Sequence, residues 1–553
     1  MRGFIRSEDR FTFCLLPRWT AVALGDYNPG VPETPALNRR SLLRYGAAGA
    51  GAIATGLLLP TTAAASTTAS AAPLIPSTRP KLSHGIQFGE VDADSAVVWA
   101  RADRPSRLLV EVARDENFRH ARKFWGPVLT PETDGTGELR VAGLTAGRDY
   151  HVRVTTHELH GRTGSEPVLG SFHTAPRGRQ DVNFLWSGDI VGQGWGINPD
   201  LGGMTIYSRM AALRPDFFLC SGDTVYADGP LSETVLLPDG RTWRNLVTPA
   251  KTKVAETLDE YRGQFAYNLL DEHVRRFNAS VPQLNQWDDH EVTNNWYPGE
   301  ILDDARYTEK RVDVLAERAF QAFHEWLPVR KADAVDGRVY RKVSYGPHLD
   351  VFVLDMRTYK GPNTPGTAPF EPILGAAQTR WLTRELDRSR ATWKIIAADL
   401  PIGLIVPDGA NIEGVANGQP GAPAGREAEL AIVLREIQRR RVRNVVWLTA
   451  DVHYTAAHHY APERAAFTEF SPFWEFVSGP LHAGAFGPNK LDPTFGPRAV
   501  FVNAPPAPNT SPMAGFQHFG QVKIDGPSGR LTVHLRDQDA RSLWSTTLEP
   551  ERR

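Results

Sequence analysis

The chain has 553 residues, more than one compact domain usually holds. Its 41% hydrophobic and 23% charged residues are ordinary for a globular protein in water. Residues 1–71 hold seven Arg and four Asp/Glu, so the remainder carries 55 basic and 59 acidic residues, a balance of −4 that gives nucleic acid or an anionic membrane no footing as main partner.

Asn38-Arg39-Arg40-Ser41-Leu42-Leu43-Arg44 precedes a weakly apolar, Gly/Ala-rich run ending at Leu59. Small-residue cleavage options follow, Ala69-Ser70-Ala71 among them. The paired arginines and the weak apolar region read as a twin-arginine export signal over residues 1–71. An ordinary secretory signal with a chance arginine pair is the competing reading. The apolar run is too short for a stable membrane span. The twin-arginine machinery is thus the expected export partner, and the product is expected outside the cell or in the envelope. Residues 72–83 read as a linker.

Residues 84–176 read as all-β. Ser95–Arg101, Arg107–Ala113 and Tyr150–Thr155 are short strands separated by turn signals. Leu144-Thr-Ala-Gly-Arg-Asp-Tyr150 has the turn-then-Tyr pattern of fibronectin III-like sandwiches. Arg177–Gln180 is the next linker. From 182 to 540 strands alternate with helical stretches, at Ala255–Phe277, Tyr307–Trp326, Ala377–Arg388 and Arg426–Arg440, which predicts α/β layers. Leu404–Ala424, rich in Gly and Pro, reads as a long loop.

Within that region four apolar runs each end on an aspartate: Asn183–Asp189, Phe217–Asp223, Trp393–Asp399 and Val445–Asp451. A fifth segment reads Trp287-Asp288-Asp289-His290-Glu291. Short apolar runs ended by polar residues are buried strands, and α/β sheets place their ligands beyond the carboxyl ends. Carboxylates gathered there repel one another unless a cation binds. Tyr226 follows Asp223 by three residues and His453 follows Asp451 by two. Of the two cysteines, Cys14 lies in the signal and Cys220 reads as a buried small apolar residue, so no internal disulfide is expected.

These blocks resemble the five motifs of the calcineurin-like metallophosphoesterases. Gly188–Gly192 and Gly222–Asp228 are similar to the first two blocks of purple acid phosphatases. Trp287-Asp-Asp-His-Glu-Val-Thr-Asn-Asn-Trp296 resembles the alkaline phosphatase D family still more closely. The resemblance spans residues 38–540. It implies a fibronectin III-like sandwich followed by a four-layer α/β/β/α catalytic domain that hydrolyses phosphoric esters with metal ions. It implies Asp189 on the first metal, Asp223 as the bridging carboxylate, Tyr226 as the phenolate that marks a ferric ion, and His453 on the first metal. That family commonly offers a cysteine where Gly188 stands, so Asp189 takes the ligand role here.

The wider superfamily binds its second metal with Asn and two His. The corresponding positions here look like Asp289, Asp399 and Asp451. With Asp223 they make an oxygen-only set, which favours Ca²⁺ over Zn²⁺ and agrees with the calcium the family implies. Fe³⁺ and Ca²⁺ are therefore the expected cofactors. Asp399 has a second reading, a turn residue before Pro401. Asn294 and Asn295 supply a carbonyl ligand or cap the local turn. His290 assists the leaving group, or is structural and bonded to Asp288. Arg357 holds a phosphate oxygen, or is a surface arginine. His458 and His459 read as solvated. The substrate is a small phosphate ester, mono- or diester. A phospholipid, as in a phospholipase D, is the second enzyme reading, with Phe470–Trp474 as an apolar approach surface or as core. A non-catalytic surface binding protein is the reading from another class.

Overall fold

The computed structural model describes residues 79–330 and 338–551. The expected export signal and Cys14 lie outside them.

Among the described residues two large sheets face each other. The first runs, in spatial order, Ser542–Leu548, Leu531–Asp537, His518–Ile524, Val182–Ser187, Phe217–Ser221, Gln283–Gln286, Leu82–Gly89, Ser95–Ala102 and Thr136–Ala142. The second runs Arg341–Tyr345, Leu349–Val353, Trp393–Ala397, Val445–Thr449, Phe473–Val477, Thr455–Tyr460 and Pro497–Asn503. Strand alternation explains the layers. Phe184 and Trp186 point between the sheets with Val446 and Leu448. Leu185 points outward to a helical layer, and Trp447 points outward to another. The continuous apolar runs are therefore strands covered on both faces. Each buried Leu- or Phe-sized side chain contributes about 1.5–3 kcal/mol.

The helix Val312–Trp326 covers the first sheet, and Gly375–Arg388 with Glu427–Arg439 cover the second. The expected single helix at Ala255–Phe277 is two, Leu258–Asn268 and Glu272–Asn278. The first opens with a Thr257/Glu260 capping box. The break falls at Asp271, whose carboxylate accepts the amides of His273 and Val274 and starts the second helix. Apolar periodicity runs through such a break unchanged.

The N-terminal sandwich pairs the strands Leu82–Gly89, Ser95–Ala102 and Thr136–Ala142 with a four-stranded sheet, Arg122–Leu129, Ser106–Ala113, Asp149–Glu158 and Val168–His173. The Tyr150 hydroxyl accepts the Thr145 amide at 2.8 Å, the tyrosine corner that its motif foreshadowed. Gly89 also pairs in parallel with Gln283, so one sandwich sheet continues into the catalytic sheet. The result is a β-sandwich followed by four α/β/β/α layers.

Candidate metal centre

Val182–Ser187, Phe217–Ser221 and Gln283–Gln286 are parallel neighbours that stop at one edge. Just past them the chain delivers Asp189, Asp223, and Asp288 with Asp289. In the facing sheet Trp393–Ala397 and Val445–Thr449 are parallel and deliver Asp399 and Asp451. Asp189, Asp223, Asp451 and His453 all have left-handed backbone, φ +63°, +47°, +66° and +59°. Non-glycine residues seldom adopt it, and it survives where surrounding bonds hold it. Here the Ile190 amide bonds the Asp223 carbonyl at 2.8 Å, and the His482 amide bonds the Asp189 carbonyl at 3.1 Å. A Cβ at Gly188 would lie 2.9 Å from the Gly222 carbonyl oxygen. Position 188 therefore has no room for a ligand side chain, and Asp189 is the residue turned into the site.

Tyr226 Oη lies 2.8 Å from His453 Nε2, and that nitrogen lies 3.6 Å from Asp189 Oδ1. His453 Nδ1 donates to the Gly484 carbonyl, which leaves Nε2 with its lone pair facing the site. Burial pulls the His453 pKa down to about 4, so its approach to Asp189 is not an ion pair. One donor atom each from Asp189, Asp223 and His453 lie within 4.8 Å of one another, and the same holds for Asp223, Asp289 and His290 and for Asp288, Asp289 and Asp451. Burial, reinforced by neighbouring carboxylates, pushes Asp189, Asp223, Asp399 and Asp451 far above the usual carboxylate range. The Tyr226 phenol is pushed up for the same reasons.

Both oxygens of Asp189 and Oδ2 of Asp399 are buried without a hydrogen-bond partner. Orphaned buried oxygens beside a histidine lone pair are the environment a cation satisfies. The donor set Asp189, Asp223, Tyr226 and His453 fits a hard, highly charged ion. Asp223, Asp289, Asp399 and Asp451 present oxygen alone.

His290 Nδ1 lies 2.7 Å from Asp228 Oδ1, and its ring stacks on Tyr226 at 4.1 Å. Its partner is thus Asp228, not the neighbouring Asp288, whose side chain turns to Arg357. Burial works against the imidazolium, but Asp228 and Asp289 outweigh it and raise the pKa to about 9. Asp289 is held below the usual range: burial opposes ionisation, and His290 and Arg357 overcome it.

Arg357 is fully buried, which removes the surface-arginine reading. Its Nε bonds Asp288 Oδ1 at 2.5 Å, its Nη1 bonds Glu413, and Asp399 and Asp451 lie at 3.5 and 3.6 Å. A fixed guanidinium fork spreads over several carboxylates as a lysine cannot. Sequence reading gave no role to Asp228, Glu413, Gln286 or Glu291. Gln286 Nε2 donates to Asp399 Oδ1 at 3.1 Å. Glu291 accepts the amides of Asp288 and Thr224 at 2.8 and 2.6 Å and ties two motifs together. Asp228 and Glu291 stand inside the quoted motifs. Glu413 stands in a loop with no local signal.

One expectation is corrected, and for Phe470–Trp474 the core alternative holds. His458 is buried, not solvated, because its strand is interior to the second sheet, and it faces Glu475 at 3.3 Å. Phe470 and Phe473 belong to the helix-covered core with Trp447 and Tyr460. They also stand at the start of a strand parallel to Val445–Thr449, the end away from Asp451, so they form no apolar approach to the site. Cys220 is buried and its thiol is pushed up to about 12 by burial, as an inert packing residue should be.

Two facing sheets, each covered on its outer face by helices, gather at their carboxyl ends buried Asp and His groups that could hold metal ions. The chain belongs to the PhoD-like phosphatase family: the family model matches residues 184–535, and the model of the family's N-terminal domain matches 67–176. Alkaline phosphatase D of Bacillus subtilis (strain 168) is 29% identical over 438 residues, covering 73% of this chain and 70% of that protein. The solved structure of PhoD has a TM-score of 0.65 at 23% identity, covers 86% of this chain and 90% of its own, and shows the same fold.

Proposed function

We propose that this phosphatase is an exported hydrolase of small phosphate mono- and diesters that works with an Fe³⁺/Ca²⁺ centre. The carrying observation is the convergence of Tyr226 Oη, His453 Nε2 and the two unpartnered Asp189 oxygens in one buried pocket. Asp189, Asp223, Tyr226 and His453 would hold the iron. Asp223, Asp289, Asp399 and Asp451 would hold calcium, since oxygen-only sets suit hard cations. Such a pair, when bound, supplies Lewis-acid polarisation of the phosphoryl oxygens and a water of lowered pKa.

The chain's own residues do the rest. Asp228 accepts from His290 Nδ1 and, with Asp289, keeps the ring an imidazolium against burial, so Nε2 also carries a proton, the one available to a leaving oxygen. Ring stacking on Tyr226 sets the plane of that imidazole. Arg357, fully buried and bonded to Asp288 and Glu413, neutralises the carboxylate cluster and holds those side chains in place. Export rests on Arg39-Arg40 and the Gly/Ala-rich run after them, a route that carries folded, metal-loaded proteins and delivers this one outside the cell or to the envelope. Among the described residues no helix is long and apolar enough to cross a membrane.

The test is metal analysis of purified protein together with its visible spectrum. A tyrosinate on Fe³⁺ gives a charge-transfer band, and Tyr226→Phe should abolish that band with the fold intact. A colourless, iron-free and fully active protein refutes the assignment.

A further inference from the structure

The loop Leu404–Ala424 carries two carboxylates that reach the site from outside its motifs. Glu413 bonds Arg357 and Lys360. The other, Asp408, sits on a small hairpin in which Pro407–Asp408 pairs with Asn411–Ile412. The hairpin is moored from behind: the Ile412 amide bonds the Thr364 carbonyl at 2.8 Å, and Arg426 donates to the Ile412 and Glu413 carbonyls.

From that mooring Asp408 grips two asparagines. Its Oδ1 accepts Asn295 Nδ2 at 3.1 Å, and its Oδ2 accepts Asn363 Nδ2 at 2.9 Å. Asn363 Nδ2 also donates to the Asn295 carbonyl at 2.8 Å, which closes the ring. Asn295 is thus held by both its side chain and its carbonyl. Its backbone is left-handed, φ +57°, a conformation that needs holding. Held so, its amide donates to Asp289 Oδ2 at 2.5 Å.

We propose that Asp408 is a positioning residue for the second metal: through Asn295 it occupies one oxygen of Asp289 and aims the other at the cation. This rests on the reading of Asp289 as a calcium ligand. Partners of ligating carboxylates set ligand direction, and their loss typically costs 10- to 100-fold in metal affinity. The ring needs two acceptor oxygens at position 408. Alanine offers none and asparagine one, so the two variants should form a graded series.

The experiment uses full-length protein, depleted of exchangeable metal and titrated with Ca²⁺ alone, comparing wild type, Asp408→Ala and Asp408→Asn. Hydrogen exchange of segment 288–297 is followed in each. Asp408→Ala should weaken Ca²⁺ binding by about 10- to 100-fold, speed exchange at Asn295, and leave the iron content and visible band unchanged. Asp408→Asn should show a smaller loss of the same kind, and it carries the test should the alanine variant fail to fold. Saturating Ca²⁺ should restore turnover in both. Wild-type Ca²⁺ affinity with wild-type exchange in both variants overturns the proposal, as does iron lost in step with calcium. Faster exchange at Asn295 in a protein that never binds Ca²⁺ overturns the ligand assignment for Asp289 instead.

Discussion

Glu413→Gln removes one negative charge from a site where two buried cations depend on it. Glu413 is 1% exposed, and its Oε1 meets both Arg357 Nη1 and Lys360 Nζ, the latter at 2.8 Å. Arg357 keeps Asp288 as a partner, whereas Lys360 Nζ bonds only Glu413 among the described residues. Breaking a buried pair from one side costs about 3–5 kcal/mol, mostly for the charge left behind. Lys360 has an escape, because burial already lowers its pKa from 10.5 to about 8. Losing Glu413 lowers it further, so the lysine sheds its proton near neutral pH. The sign follows from that depression. Between about pH 8 and 10.5 the unfolded chain binds the Lys360 proton and the folded chain does not, so stability from this group rises with pH there. In Glu413→Gln the rising window extends to lower pH. The cost should therefore be about 3–5 kcal/mol at pH 7 and smaller by about 1–2 kcal/mol at pH 9.5. Lys360→Met added to Glu413→Gln should recover part of the pH 7 loss, a non-additive pair in a double-mutant cycle. Urea denaturation of chelator-treated protein at both pH values measures this. A loss below about 0.5 kcal/mol at both, or a double variant worse than the sum of the singles, would refute the reasoning.

His290→Ala should lower turnover by roughly 10²–10⁴-fold while metal content stays near wild type, checked by steady-state kinetics beside metal analysis; an emptied metal site would make His290 a ligand instead. Chelation should abolish hydrolysis of an aryl phosphate ester, with Ca²⁺ restoring it and Zn²⁺ not, because the second donor set is all oxygen. Full rescue by Zn²⁺ would falsify that assignment. Arg39→Lys together with Arg40→Lys should leave the protein in the cytoplasm, read by fractionation, and normal export of the double variant would end the twin-arginine reading.

Much of the candidate metal centre is a local property of this chain. An apolar run closed by aspartate encodes a buried strand and its carboxyl end in seven residues, so Asp189, Asp223, Asp399 and Asp451 are legible without a fold. Tyr226 and His453 follow because they lie within three residues of those ends. The Tyr150 corner is legible for the same reason: turn and hydroxyl are neighbours in sequence. Long-range pairing left no such trace. Whether His290 leans on Asp288 beside it or on Asp228, 62 residues away, depends on how two strands register across one sheet. Arg357 looks like any arginine after a strand, and only the packing of two sheets encloses it among carboxylates from both. Glu413 and Asp408 sit in a loop with no periodicity at all, and the tertiary fold alone carries them to the site. Side chains that act within a turn of the backbone are written in local sequence, whereas the charges that balance them come from wherever the burial of the two sheets brings a partner.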